Sequence, residues 1–207
     1  IDSLVERYPT AVLQASGEAA GLPWSEGGNS EVGHMSIGAG RIVYQDLSRI
    51  NKAISDHSFF SNEALIASID HAQQKGSALH IIGMASTSGV HSHIDHLFAL
   101  CELATSLSLP RVFLHLFHDG RDAPYASGLG FVRSTLERID GTAIRIATLS
   151  GRSYAMDRDN HWERTEKAYR AIGEGVSERH AADPITAIEE SYAQGVYEEE
   201  FVPTGIM

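Results

Sequence analysis

Cysteine, positive charge and long apolar runs are what this sequence has least of, and each shortage closes a class. A single cysteine, Cys101, rules out a disulfide within the chain. Stability must then come from a packed core, and a reducing, cytoplasmic setting fits. Cys101 sits in the apolar stretch LFALCELA, where a small thiol serves packing. Lysine and arginine number 16 against 27 acidic residues, a formal charge of −11. That field disfavours nucleic acid and anionic membranes as partners, while leaving room for a local basic pocket. No apolar run reaches the roughly 18 residues of a membrane span, and no signal-peptide pattern opens the chain. Low-complexity runs are missing too. With 43% hydrophobic and 21% charged residues, the 207-residue chain can form one core, or one core and a fragment of a second. It opens on IDSLVERYP with no initiator Met, which suggests a processed or truncated chain.

Two regions differ in texture. Residues 1–44 are rich in glycine (Gly17, Gly21, Gly27, Gly28, Gly33, Gly38, Gly40) and poor in periodic apolar positions. A short helix over about 2–8, a strand over about 10–14 and loops are expected there. From Gln45 the pattern becomes regular. Leu47, Ile50 and Ile54 mark one helix, and Leu65, Ile66 and Ile69 a second. Apolar runs at 78–84, 112–117 and 143–149 predict strands, and they alternate with helices at about 93–107, 127–139 and 161–172. A last helix begins at Asp183-Pro184, a suitable N-cap and first position, and ends near Gly195. Strands that are apolar on both faces and alternate with helices predict an α/β fold: a mostly parallel sheet with helices on both faces. Ligands bind such sheets at the carboxyl ends of the strands, so the informative loops are 85–92, 118–126 and 150–160.

Those loops gather the polar chemistry: His91, His93, Asp95, His96, Arg121, Asp122, Arg152 and Arg158. Three arginines on one rim of an acidic protein suit a small polyanion, because guanidinium pairs with carboxylate or phosphate through two hydrogen bonds. His91-Ser-His-Ile-Asp-His96 has the H-x-H-x-D-H spacing of zinc hydrolases. The same residues also read as a helix start, with Ser92 capping, Asp95 three residues on, and His91 aimed at an anion on the rim. Spacing alone leaves these open. Arg121-Asp122 reads either as a substrate clamp with an acid/base carboxylate or as a turn salt bridge. Asp119-Gly120 is a turn signal, and Asp157, Asp159 and Asn160 are candidate caps for the next helix. In the glycine-rich region, Gly28-Asn29-Ser30-Glu31-Val32-Gly33 is not G-x-S-x-G, which disfavours a hydrolase nucleophile elbow. A serine can also be activated by a divalent metal. Gly38-Ala39-Gly40 lacks the strand and third glycine of a dinucleotide fingerprint.

Four segments in order, GGNSEVGHMSIGAGRIVYQDLSRIN, GVHSHIDHLFAL, DGRDAP and SGRSYAMDRDNHWERTEKAY, resemble the successive motifs of the cofactor-independent phosphoglycerate mutases. The resemblance covers nearly the whole chain. It implies that residues 1–45 are a fragment of an alkaline-phosphatase-like α/β domain and residues 46–207 a substrate-binding transferase domain. It implies interconversion of 3-phosphoglycerate and 2-phosphoglycerate through a phosphoserine, with two divalent metal ions, usually Mn²⁺, in a monomeric cytoplasmic enzyme. Carried over residue by residue, Ser30 is the nucleophile and a metal contact, and His91 holds phosphate or glycerate. Arg121 and Asp122 bind the glycerate hydroxyls, with Asp122 a candidate proton shuttle. Arg152 and Arg158 hold the carboxylate and phosphate. The sequence departs from the family at Ser86-Thr87-Ser88-Gly89, where S-D-G-G is usual, at Ser153 in place of a tyrosine, and at Gly27 in place of a methionine. Only Ser30 of the metal site is expected within these residues, so the chain alone is expected to be inactive. Two other readings are a zinc hydrolase using His91, His93, Asp95 and His96, and a non-enzymatic domain that binds sugar phosphates.

Overall fold

The structure, a computed structural model, describes residues 1–23 and 27–207. It divides into two compact units, Ile1–Phe59 and Phe60–Met207.

The described residues of the first unit include the α-helices α1 (Asp2–Arg7), α2 (Ser30–Ala39) and α3 (Asp46–Ser55). The strand expected at 10–14 does not form. Val12 and Leu13 are 96% and 86% exposed, since no second strand pairs with that run. Helix α2 lies where loops were expected. Asn29 starts it by accepting a hydrogen bond from the Val32 N–H at 2.9 Å, and Gly40 ends it at φ 63°. Among the described residues of this unit, Leu22 and Val32 are the buried apolar side chains.

The second unit holds the sheet. Strands β1 (Leu79–Met84), β2 (Val112–His118) and β3 (Ile144–Gly151) run parallel, with Leu79 opposite Val112 and Val112 opposite Ile144. Two further strands, β4 (Arg179–Ala181) and β5 (Thr204–Ile206), were not expected from the sequence. The order is β1-β2-β3-β5-β4, with β5 antiparallel to β3 and parallel to β4. The sheet is therefore mostly parallel, and the fold is α/β as expected.

Helices α4 (Glu63–Lys75), α5 (Ile94–Ser106), α6 (Gly128–Ile139), α7 (Arg152–Ala155), α8 (Trp162–Gly173) and α9 (Pro184–Ala193) surround it. Local chemistry sets their ends. Asn62 caps α4 through the Ala64 and Leu65 N–H groups, and Asp183 caps α9 through the Thr186 N–H. Each cap contributes about 1 kcal/mol. Helix α5 starts one residue later than expected. His93, not Ser92, is the N-cap, and its Nδ1 accepts from the Asp95 N–H at 3.2 Å. Leu114, Leu116, Val132, Leu149 and Ile188 are fully buried in one continuous core that also takes in Cys101.

Strand β1 departs from the pattern of strands buried on both faces, because His80 and Ile82 are exposed on it. The carboxyl ends of the three parallel strands lie side by side, with Met84 opposite Phe117 and His118 opposite Gly151. This brings the three polar loops to one edge of the sheet.

Candidate active site

The loop after β2 is organised around Asp119, which the sequence presented only as part of a turn. Its carboxylate does serve the turn, accepting from the N–H groups of Arg121 at 3.2 Å and Asp122 at 2.9 Å. Gly120 makes the bend possible at φ 73°. The same carboxylate also reaches into both neighbouring loops. It accepts from Ser86 Oγ at 2.6 Å in the loop after β1, and from Arg152 Nη1 at 2.7 Å in the loop after β3. Asp119 is 2% exposed. Burial pushes its carboxyl pKa up, but the Ser86 hydroxyl, the two N–H groups and the Arg152 charge together outweigh burial and hold it below the usual range. A buried, ionised carboxylate thus ties the three loops together. Ser86 and Ser88, where the family usually carries S-D-G-G, are partners of that carboxylate.

Arg152 is the cation at the centre. Its Nη1 also donates to Asp122 Oδ2 at 2.8 Å, and the same oxygen lies 3.8 Å from His91 Nε2. Arg121 turns towards Glu199 and donates to its Oε1 through Nε at 2.7 Å and through Nη2. That hydrogen bond and charge hold the Glu199 carboxyl below the usual range. Met156, Asp157, Arg158, Asp159 and Arg164 complete a polar cleft with His91, Arg121, Arg152 and Ser153. Among the described residues Arg158 and Arg164 make no ion pair, so they are the cleft's uncommitted cations. Asp157 accepts from the His161 N–H at 2.8 Å, at the start of α8.

The sequence-derived residues His91, Arg121, Asp122, Arg152 and Arg158 therefore meet at one site. Ser30 belongs to the other unit. It is the first residue of α2 and is exposed. His34 lies one turn on, with Nδ1 at 2.6 Å from the Ser30 carbonyl and 3.3 Å from Ser30 Oγ. The carbonyl can only accept, so Nδ1 carries the proton there and cannot take one from the Ser30 hydroxyl. This histidine is not arranged as the base for that serine.

Asp119, Glu199 and Arg164 were not found from the sequence. Glu199 lies 78 residues from Arg121 and in no family motif, so no local signal marks it. Arg164 lies inside the segment SGRSYAMDRDNHWERTEKAY and in the helix expected at 161–172, but no role was assigned to it.

The zinc arrangement is not assembled. His93 is spent on the helix cap, His91 faces Asp122, and no three His, Cys, Asp or Glu side chains among the described residues are grouped to hold a metal ion. A two-metal site does not fit these residues either. Its one expected contact is the Ser30 hydroxyl, with no carboxylate or imidazole set around it among the described residues.

The chain is thus an α/β unit whose mostly parallel sheet carries an arginine-lined cleft at its carboxyl edge. The family of that unit follows from its relatives: residues 50–207 match the model described as BPG-independent PGAM N-terminus, and the chain belongs to this family. It is 52% identical over 206 residues to the 2,3-bisphosphoglycerate-independent phosphoglycerate mutase of Moorella thermoacetica, covering 98% of this chain and 40% of that protein. It is 50% identical over 205 residues to the mutase of the same description from Clostridium beijerinckii, covering 99% and 40%. Among solved structures it resembles Leishmania mexicana phosphoglycerate mutase, determined at low cobalt concentration. That match has a TM-score of 0.81 and 31% identity, and covers 94% of this chain and 37% of the other. The chain spans about 40% of the length of the curated relatives it matches.

Proposed function

We propose that this chain is the part of a 2,3-bisphosphoglycerate-independent phosphoglycerate mutase that supplies the nucleophile serine and the glycerate-binding domain. The observation that carries the reading is the convergence of His91, Arg121, Asp122 and Arg152 at the carboxyl edge of the sheet, in a chain half identical to named mutases. Residues 46–207 are the transferase domain, and residues 1–45 belong to a phosphatase-like domain.

In the proposed reaction Ser30 Oγ attacks the phosphorus of 3-phosphoglycerate. The bond from phosphorus to the substrate's O3 breaks, and O3 takes up the proton that the Ser30 hydroxyl gives up. Glycerate stays in the cleft, its carboxylate held by cations such as Arg158, until its O2 attacks the phosphoserine and regenerates Ser30. Asp122 relays the proton in each half-reaction, from the Ser30 hydroxyl to O3 and then from O2 back to Ser30 Oγ. Its Oδ2 is already shared by Arg152 and His91, so the carboxylate is oriented and its charge is balanced before substrate arrives. An arginine-lined cleft closed to water would protect the phosphoserine from hydrolysis.

Divalent ions, Mn²⁺ in the reading by resemblance, would lower the pKa of the serine hydroxyl. The donors described here do not make that site, so this chain alone is expected to bind without turning over. A cytoplasmic setting and a monomeric full enzyme go with the reading. Among the described residues no helix is long and apolar enough to cross a membrane.

Calorimetric titration with 3-phosphoglycerate tests the proposal. Binding that is independent of Mn²⁺ and weakened about tenfold in Arg158→Ala, as for one lost charge-assisted contact, is the expected result. Binding of simple sugar phosphates as tightly as 3-phosphoglycerate would favour a general sugar-phosphate domain instead.

A further inference from the structure

The cleft has a wall that none of the motifs describes. Residues 198–201, which include a short 3-10 turn (Glu198–Glu200), lie against both site loops. The fit is close enough that only glycine is tolerated opposite them. A Cβ on Gly120 would come within 2.7 Å of the Glu199 backbone nitrogen, and a Cβ on Gly151 within 2.4 Å of the Glu199 carbonyl oxygen. The Gly151 N–H donates to the Phe201 carbonyl at 2.7 Å. From below, Glu198 pins the segment. It is 2% exposed, and its Oε1 accepts from the Gly128 N–H at the start of α6 at 3.0 Å and from the Tyr192 hydroxyl on α9. The backbone around residue 199 therefore cannot shift without moving α6, α9 and both loops.

From this fixed backbone Glu199 reaches Arg121. One carboxylate oxygen takes both Nε–H and Nη2–H of the guanidinium, and Ser153 Oγ lies 3.4 Å from the same oxygen. Arg121 is about half exposed, with its side chain at 45%. Left alone, such a long side chain would sample many rotamers and lose that freedom on binding a ligand, at about 2 kcal/mol for a full arginine. Held at its Nε edge, it keeps the rest of the guanidinium pointed at the cleft.

We infer that Glu199 is a positioning residue of the anion cleft: fixed by the 198–201 wall, it pre-orients Arg121 for the ligand. Ser153, where the family has a tyrosine, is part of the same contact. The inference rests on the proposed phosphoglycerate reading and extends it to residues outside its motifs.

The sign of one change in affinity tests it. Glu199 brings a negative charge to a cleft that binds anions, so charge alone predicts that removing it tightens binding. Positioning predicts the opposite for alanine. In the 207-residue chain, Glu199→Ala should weaken 3-phosphoglycerate about tenfold, the scale of one charge-assisted hydrogen bond. Glu199→Gln keeps an acceptor oxygen without the charge, and should bind at least as tightly as the original chain. In an Arg121→Ala background, Glu199→Ala should cost nothing further. The Arg121 Nε–H resonance in a ¹⁵N spectrum, followed without ligand, should be sharp in the original chain and broadened in Glu199→Ala. A sharp, unshifted Arg121 signal in Glu199→Ala, or unchanged or tighter binding by that variant, would overturn the role of Glu199 alone. Absence of any 3-phosphoglycerate binding by the unaltered chain would remove the phosphoglycerate reading, and the role of Glu199 with it, even if the resonance behaved as expected.

Discussion

Arg152 is held by Asp119 at 2.7 Å with both side chains almost wholly buried, so the central cation of the cleft is anchored from inside the protein before any ligand reaches it. The anchoring carboxylate also gathers Ser86 and Ser88 from the loop after β1, which makes it the joint of three loops.

Removing that joint should be felt in stability as well as in binding. Asp119→Ala leaves a buried guanidinium with Asp122 as its remaining carboxylate and frees two loop N–H groups. A loss of about 3–5 kcal/mol is expected, the range for breaking a buried pair from one side. A shift of the urea midpoint with an unchanged slope would show it. A loss below about 1 kcal/mol would mean that water replaces the carboxylate without cost.

Acid should weaken the fold before its carboxylates are protonated. His115 and His118 are 2% and 1% exposed, and burial lowers both to about 4. His80 on β1 adds to the effect at His115, while Glu198 opposes it at His118. With folded values below the ordinary 6.5, the unfolded chain binds more protons as pH falls. Stability is therefore fully present above about 6.5 and is lost progressively down to about 4, at up to about 1.4 kcal/mol per pH unit for each histidine. Urea unfolding at pH 7, 6 and 5 should show this slope, and His115→Gln should reduce it. A flat profile would contradict the burial of neutral imidazoles.

Two glycines should respond in opposite ways to alanine. At Gly151 the added methyl meets backbone atoms of Glu198, Glu199 and Phe201 at 2.4–2.6 Å, none of which can swing aside. Gly151→Ala should cost about 1–3 kcal/mol, as overpacking does. At Gly130, inside α6 and exposed, nothing lies within 4 Å of the new Cβ. There alanine should stabilise by about 0.5–1 kcal/mol through helix propensity. Equal thermal shifts for the two variants would show that the wall at 198–201 yields.

Strands β1, β2 and β3 were legible because six to eight mostly apolar residues between turn signals leave few alternatives. Strands β4 and β5 have three residues each, too few to show a period, and their pairing depends on contacts far apart in sequence. Helix α2 was hidden by Gly33 and Gly38, which weaken helix propensity, and by an apolar pattern with little sidedness. The strand expected at 10–14 shows the reverse error, since an apolar run becomes a strand only where another strand receives it. At the cleft, the loops and their arginines could be read from position along the sheet. Asp119 could be read as a turn residue, but not as the partner of Arg152 thirty-three residues later.

The wall at 198–201 also has a bearing on the order of events during synthesis. Arg121 and Glu199 are separated by 78 residues, and at about 5–20 residues per second that is roughly 4–16 s of translation. Strands β1 to β3 and the loops that carry His91, Asp122 and Arg152 all leave the ribosome before residue 198 is made. The nascent chain can thus assemble β1, β2 and β3 while Arg121 still has no carboxylate to hold it, and the 198–201 wall reaches the cleft only afterwards.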